Sequence, residues 1–254
     1  MSTFEFAGRS IHVNVQGEGL PGLPLLLLHG AGGVYLHWPP LLRRLPGRPV
    51  HALELPGHGR SSGPALASIA EGATLVQAWA SAWGLERFGV AGHSMGSAIA
   101  LQTALDSPQA VAALVLVGSA ARLRVSRKIL EALATDFAAA TEMIARFSYG
   151  PGVDASQLAQ RLAHLRKVDQ AILHAAYRVC NDFDVTERLG EIGVPALIVG
   201  GNDDRMTPPE RSQELHAALR GSHLHILPHA GHMILIEQPA RLTALVGDFL
   251  TSQG

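Results

Sequence analysis

A serine, two adjacent aspartates and a histidine are placed in this chain so that they could cooperate in attacking a carbonyl group. Ser94 lies in Gly92-His93-Ser94-Met95-Gly96, directly after the apolar run 88–91 and at the head of a helical pattern, 94–106. A serine hydroxyl becomes a useful nucleophile when a base takes its proton. A sharp strand-to-helix turn serves that chemistry. It projects the hydroxyl outward and sets it beside the free N–H groups and positive dipole end of the helix. Glycine at 92 and 96 lets neighbouring backbone come close. A second small-residue loop, His29-Gly30-Ala31-Gly32-Gly33, ends the apolar run 25–28. It can aim the N–H of Ala31 at a developing oxyanion, with the N–H of Met95 as the second donor. Gly201-Asn202-Asp203-Asp204-Arg205-Met206-Thr207-Pro208 follows the run 196–200 and offers a carboxylate to orient an imidazole. Ala230-Gly231-His232 offers the imidazole. Proximity in sequence does not separate Asp203 from Asp204. The chain order is serine, aspartate, histidine.

Such residues work together only if a scaffold brings several loops to one edge. The apolar runs 25–28, 50–53, 88–91 and 111–117 read as strands buried on both faces, the pattern of a parallel sheet. Residues 4–6 and 11–15 read as a hairpin with Gly8 in its turn. Helical patterns cover 35–44, 69–83 and 94–106, and the last stops before Pro108. From 121 to about 184 no strand candidate appears. Helical stretches at 126–139, 141–147, 155–168 and 170–181 occupy it instead, broken near Gly150-Pro151-Gly152. Alternation then resumes: strand 196–200, helix 209–219, strand 223–227, and a closing helix over 239–250 with proline at its start. An α/β layered domain with a helical insertion is expected.

Composition narrows the function classes. The chain has 254 residues, of which 47% are apolar and 16% charged, so it can bury a real core. Twenty basic residues against 21 acidic ones leave a net charge of −1. That is no field to hold nucleic acid or an anionic membrane, so neither partner is expected. Cys180 is the one cysteine, which excludes an internal disulfide. The apolar runs fall well short of the ~20 residues that span a bilayer. The start shows no basic region followed by an apolar stretch, so a cytoplasmic location is expected.

The remaining candidates have plainer readings. His223, His225, His229 and His232 cluster in sequence, and the first two share a strand face. No carboxylate stands at ligand spacing beside them, and no metal is expected. His58 and His93 belong to turns, His37-Trp38 to packing, and Cys180 to the interior as a structural thiol. Arg122, Arg124, Arg127 and Lys128 form a solvated face, or one that greets an anionic substrate. Met143, Ile144, Phe147 and Tyr149 serve as core of the insertion or as lining of an apolar pocket. Gly30, His93 and Phe147 are taken as residues that line the substrate site.

The sequence resembles the α/β-hydrolase family, most of all its small esterase-type members. The resemblance rests on His29-Gly30-Ala31-Gly32-Gly33, Leu55-Pro56-Gly57-His58-Gly59-Arg60-Ser61, Gly92-His93-Ser94-Met95-Gly96, the Gly201 to Pro208 stretch, and Ala230-Gly231-His232-Met233. It implies an α/β-hydrolase fold, a mostly parallel eight-stranded sheet with helices on both faces. Residues 1–120 and 185–254 would form the core and 121–184 a helical cap over Ser94. The family spacing G-x-x-D-x-x-x-P aligns Asp204 with the acid. The alternative place for an acid reads Gly118-Ser119-Ala120 and has no carboxylate. Glu54 stands where relatives usually carry aspartate, in a structural loop. A serine nucleophile separates the chain from haloalkane dehalogenases and epoxide hydrolases, which use aspartate.

The implied activity is hydrolysis of a small-molecule carboxylic ester through an acyl-enzyme on Ser94, with no metal or organic cofactor. The same triad could serve a C–C bond hydrolase, an enol-lactonase or a perhydrolase. Relatives that cut C–C bonds tend to carry Gly-Pro-Gly in the oxyanion loop, and Ala31-Gly32-Gly33 lacks the proline. Receptors of this fold keep the triad without turnover, but nothing in the sequence marks a partner surface. Substrate identity and oligomeric state are not legible.

Overall fold

Continuous apolar runs become strands whose alternate residues bury on opposite faces. In the computed structural model, which describes residues 2–253, Leu26 and Leu28 pack into one core and Leu25 and Leu27 into a second. Met1 and Gly254, the outer ends of the expected core, lie outside the described residues. The strands are β1 (Ser2–Phe6), β2 (Arg9–Gln16), β3 (Leu25–Leu28), β4 (Val50–Leu53), β5 (Phe88–His93), β6 (Val111–Val117), β7 (Ala196–Gly201) and β8 (His223–Leu227). They form one sheet in the order β1-β2-β4-β3-β5-β6-β7-β8. β1 pairs antiparallel with β2, and β2 with β4; every other pairing is parallel.

Helices cover both faces of the sheet. α1 (Ile69–Ala82) and α2 (Met95–Asp106) bury Leu75, Trp79, Ile99 and Leu101 in the first core. α7 (Pro209–Ala218) adds Leu215 to it. α8 (Ile234–Glu237) and α9 (Pro239–Thr251) close the other face with Leu235, Leu242, Val246 and Leu250. Ser68 caps α1 by accepting the Glu71 N–H, which satisfies one of the donors a helix start leaves open.

Between β6 and β7 the chain builds the helical cap. Its helices are α3 (Arg127–Thr135), α4 (Phe137–Ser148), α5 (Ala155–Leu165) and α6 (Gln170–Asn181). They enclose a small core of their own from Ile129, Leu133, Ile144, Leu165, Leu173 and Tyr177, and Ala31 and Met206 pack against it from below. Asp136, Asp154 and Asp169 cap α4, α5 and α6. Arg122 bridges to Asp184 at the neck, where Leu123 N–H donates to Phe183 O and Val185 N–H to Ala121 O.

Two helices expected from the pattern form differently. The segment 35–44 is two short 3-10 turns, Tyr35–His37 and Leu42–Arg44. Pro39 and Pro40 fall between them, supply no N–H and disfavour the helical region for the residue before each. The helix expected over 126–139 divides at Asp136, where the backbone leaves the helical region (φ −145°, ψ 84°). The Asp136 carboxylate turns to accept the Ala139 N–H instead, the local competition that makes aspartate a better cap than interior residue.

Candidate active site

Parallel strands deliver their C-terminal ends to one edge, and the loops leaving β3, β5, β7 and β8 converge there. Ser94 follows β5 at φ 53° and ψ −116°, a strained backbone for any residue but glycine. The turn is held by the Ser94 N–H donating to Val117 O at 3.0 Å, and by Ser97 N–H and Oγ–H donating to Ser94 O. A Cβ at Gly92 would overlap the Gly96 carbonyl, and one at Gly96 the carbonyl of Leu28, so close approach demands both glycines. The Ser94 hydroxyl has no hydrogen-bond partner among the described residues. It opens into a cavity of about 1060 Å³ that His232 also lines.

Two backbone N–H groups stand beside Ser94. Met95 begins α2, and neither its N–H nor that of Ala31 has an acceptor among the described residues. Gly30 packs directly on Ser94, since a Cβ there would stand 3.1 Å from Ser94 Cβ. Buried imidazoles shape the Ala31 loop. His29 Nε2 accepts the Leu55 N–H at 3.0 Å, which leaves Nδ1–H to donate to Gly30 O at 2.8 Å. His58 Nε2 accepts the Gly32 N–H, and its Nδ1–H donates to Pro56 O. Burial holds both rings below the usual imidazole range, most strongly at His29, so they act as neutral struts.

Asp204 and His232 are each about 3% exposed. His232 Nδ1–H donates to Asp204 Oδ2 at 2.8 Å, which leaves Nε2 as the lone-pair atom. Thr207 Oγ1–H donates to the same oxygen at 2.7 Å, while Asp204 Oδ1 accepts the N–H groups of Met206 and Thr207. Burial pushes the Asp204 carboxyl up, but the His232 charge and these hydrogen bonds outweigh it and hold the group below the usual carboxylate range. Asp203 makes no such contact: its N–H donates to Ala230 O, and its carboxylate accepts no hydrogen bond among the described residues. Asp204 thus uses Oδ1 to hold the turn after β7 and Oδ2 to hold the imidazole.

His93 lines the cavity beside Ser94 and also braces His232. Its Nε2–H donates to the His232 carbonyl at 2.9 Å, and burial followed by the His232 charge lowers its pKa to about 3. Phe147 lines the cavity, is 38% exposed, and stacks under the Arg205 guanidinium. Ile144 and Tyr149 are buried and Met143 packs against the cap core. Arg122 and Arg124 line the cavity wall, whereas Arg127 pairs with Glu131 on the outside. Cys180 lies buried at the cavity, its thiol pushed up to about 12 by burial, so it carries no thiolate near neutral pH. Among the described residues no group of three or more His, Cys, Asp or Glu could hold a metal ion, and no helix is long and apolar enough to cross a membrane.

Three residues at the site are invisible to motif reading. Thr207 shares Asp204 with the imidazole; an aspartate followed three residues later by threonine is its one sequence sign. Glu237 Oε2 accepts the N–H groups of Gly150 and Gly231, both at 3.0 Å, and ties the cap to the loop that carries His232. Arg161 of α5 is buried against the Ala31 loop, and its sign is an arginine between Leu158 and Leu165 on the apolar side of an amphipathic helix.

The chain is similar to known proteins along most of its length. A family model described as "Alpha/beta hydrolase family" matches residues 25–245. The chain is 33% identical to the putative carbamate hydrolase RutD of Variovorax paradoxus, over 94% of this chain and 96% of that protein. It is 30% identical to a pimeloyl-[acyl-carrier protein] methyl ester esterase of Neisseria meningitidis, over 88% of this chain and 91% of that one. A solved thermophilic esterase superposes with a TM-score of 0.87 at 25% identity, covering 100% of this chain and 98% of its own.

Proposed function

Since the chain belongs to the alpha/beta hydrolase family, and within it is a serine hydrolase of the esterase type with a catalytic triad, we propose that it cleaves carboxylic esters through an acyl-enzyme on Ser94. The observation that carries this is the buried Asp204–His232 hydrogen bond beside a strained serine turn that opens into the same cavity. His232 Nε2 takes the proton from Ser94 Oγ as that oxygen bonds to the ester carbonyl carbon. Asp204 holds the imidazole in the Nδ1–H tautomer and stabilises the imidazolium. The carbonyl oxygen becomes an oxyanion held by the N–H groups of Ala31 and Met95, each contributing about 3 kcal/mol to the barrier reduction. The bond to the alkoxy oxygen then breaks, and Nε2–H protonates the leaving alcohol. Water, deprotonated by His232, attacks the acyl-enzyme, and Ser94 leaves with the proton. The serine–imidazole contact tightens on substrate docking, as such contacts commonly do.

The two curated relatives are named for a carbamate and for a methyl ester. Both are carbonyls bearing a heteroatom leaving group, which this constellation can attack. The test is a panel of p-nitrophenyl esters of rising acyl length, run beside a ring-cleavage dienoate, with parent enzyme and Ser94→Ala. Ester turnover by the parent and a loss of at least about a hundredfold in Ser94→Ala is the expected outcome. Turnover of the dienoate alone would replace the ester reading.

A further inference from the structure

Arg161 is 7% exposed and yet has no counter-charge. Among the described residues no carboxylate pairs with it, its Nε has no partner, and its Nη1 makes one long hydrogen bond, 3.5 Å, to Gly32 O. The other cavity arginines differ. Arg122 pairs with Asp184, Arg211 with Glu214, and Arg205 lies on Phe147. Arg124 is exposed to water, as is the acidic Glu187. A guanidinium does not shed its proton in a protein, so Arg161 is a buried unmatched cation. Its surroundings are neutral donors and rings. The phenols of Tyr149 and Tyr177 and the imidazoles of His37, His93 and His164 all feel its charge. The Tyr177 hydroxyl, on the cavity wall, has no hydrogen-bond partner among the described residues. His164 Nε2–H donates to the same Gly32 carbonyl at 2.9 Å, so that oxygen already has a donor.

We propose that Arg161, with the Tyr177 hydroxyl beside it, binds a carboxylate on the substrate, and that the natural ester is therefore an anion, such as the half-ester of a dicarboxylic acid. A planar two-oxygen anion of single charge matches one guanidinium fork; a phosphate dianion would leave a charge unmet. Arg161 and Ser94 line one cavity, and Arg161 reaches the loop that carries Ala31. An ester whose carbonyl sits at Ser94 would place a second polar group under α5. The assignment rests on the ester reading for the identity of the scissile bond, but not for the anion site itself.

The experiment therefore separates the two. In Ser94→Ala protein, calorimetry compares binding of monomethyl glutarate with that of its neutral match, dimethyl glutarate. The half-ester is expected to bind about tenfold more tightly or better, and adding Arg161→Gln is expected to erase that preference. Steady-state turnover of the same pair by the Ser94 enzyme should show the same preference in kcat/KM. Replacing the pair with 3-acetoxypropanoate and butyl acetate tells whether the carboxylate belongs to the acyl or the alcohol half. If Arg161→Gln does not fold, Tyr177→Phe and Arg161→Lys each should reduce the preference at least about threefold. Equal binding of the two glutarates, or a preference that these changes leave intact, overturns the proposal. Dimethyl glutarate turnover that disappears in Ser94→Ala upholds ester hydrolysis whichever way the anion result falls.

Discussion

His93 donates its Nε2–H to the main-chain carbonyl of His232 at 2.9 Å, and the two rings stand 4.9 Å apart. The residue immediately before the serine thus fixes the backbone of the residue proposed as its base. The relationship also divides the labour between two adjacent imidazoles. A carbonyl only accepts, so Nε2 of His93 must carry the hydrogen and cannot take one from Ser94. His232 gives its Nδ1–H to a carboxylate and keeps Nε2 free.

The two neighbouring aspartates should respond very differently to the same change. Asp204→Asn favours the wrong imidazole tautomer and is expected to lower the ester rate by about 10⁴. Asp203→Asn, which removes no hydrogen bond among the described residues, should cost about tenfold or less. Rates of both variants on one ester decide it; equal losses would overturn the assignment of Asp204 as the acid.

Glu237 should matter to rate and stability together. Burial raises its carboxyl, and the N–H groups of Gly150 and Gly231 partly offset that. Glu237→Ala leaves both N–H groups unpaired and should cost about 2–4 kcal/mol in urea unfolding, with a fall in kcat as the His232 loop loosens. Glu237→Gln keeps an acceptor oxygen and should retain most of both. An alanine variant with parental kcat would show that the tie to the cap is structural only.

Acid should destabilise the fold well above the carboxylate range. His51 accepts the Trp79 Nε1–H at 3.2 Å, and burial lowers its pKa to about 4. Between pH 6.5 and about 4 the unfolded chain binds a proton there that the folded one does not. Its contribution is therefore complete above pH 6.5 and is lost as pH falls through that window, at up to about 1.4 kcal/mol per pH unit. His93 extends the same trend toward pH 3. Urea midpoints at pH 7, 6 and 5 should fall steadily, and less steeply in His51→Phe. A slope that His51→Phe leaves unchanged would remove His51 from the account.

Phe147 should tune acyl preference. It lines the cavity and is held by Arg205 5.0 Å from its ring centroid. Phe147→Ala should shift the optimum toward longer acyl chains, changing the octanoate-to-acetate rate ratio by about tenfold while the acetate rate changes less. An unaltered chain-length profile would place Phe147 outside the acyl path.

The central strands β3, β6 and β7 were legible because each is a short, nearly continuous apolar run. Leu25–Leu28 and Val111–Val117 begin and end where the sequence pattern does. The serine turn was legible because sterics leave few ways to build it. What escaped reading depends on contacts between distant elements. Gly150 and Glu237 meet across 87 positions, and Gly32 and Arg161 across 129. No local preference records such a meeting. The split at Asp136 was missed for another reason: helical periodicity continues through it, and only the competition between a capping side chain and the backbone breaks the helix.

The neck formed by Leu123, Phe183, Ala121 and Val185 has a consequence for how this chain changes over generations. The segment departs from the sheet and returns to it at a single point, like a cartridge in a socket. Its length can drift wherever Gly150 and α5, which meet Glu237 and Gly32, are left in place, while the sheet register stays as it is. Loop-closure entropy rises only slowly with length, so added residues there cost little. The sheet and the cap are thereby separately variable, except at the few contacts through which α5 and Gly150 reach the catalytic loops.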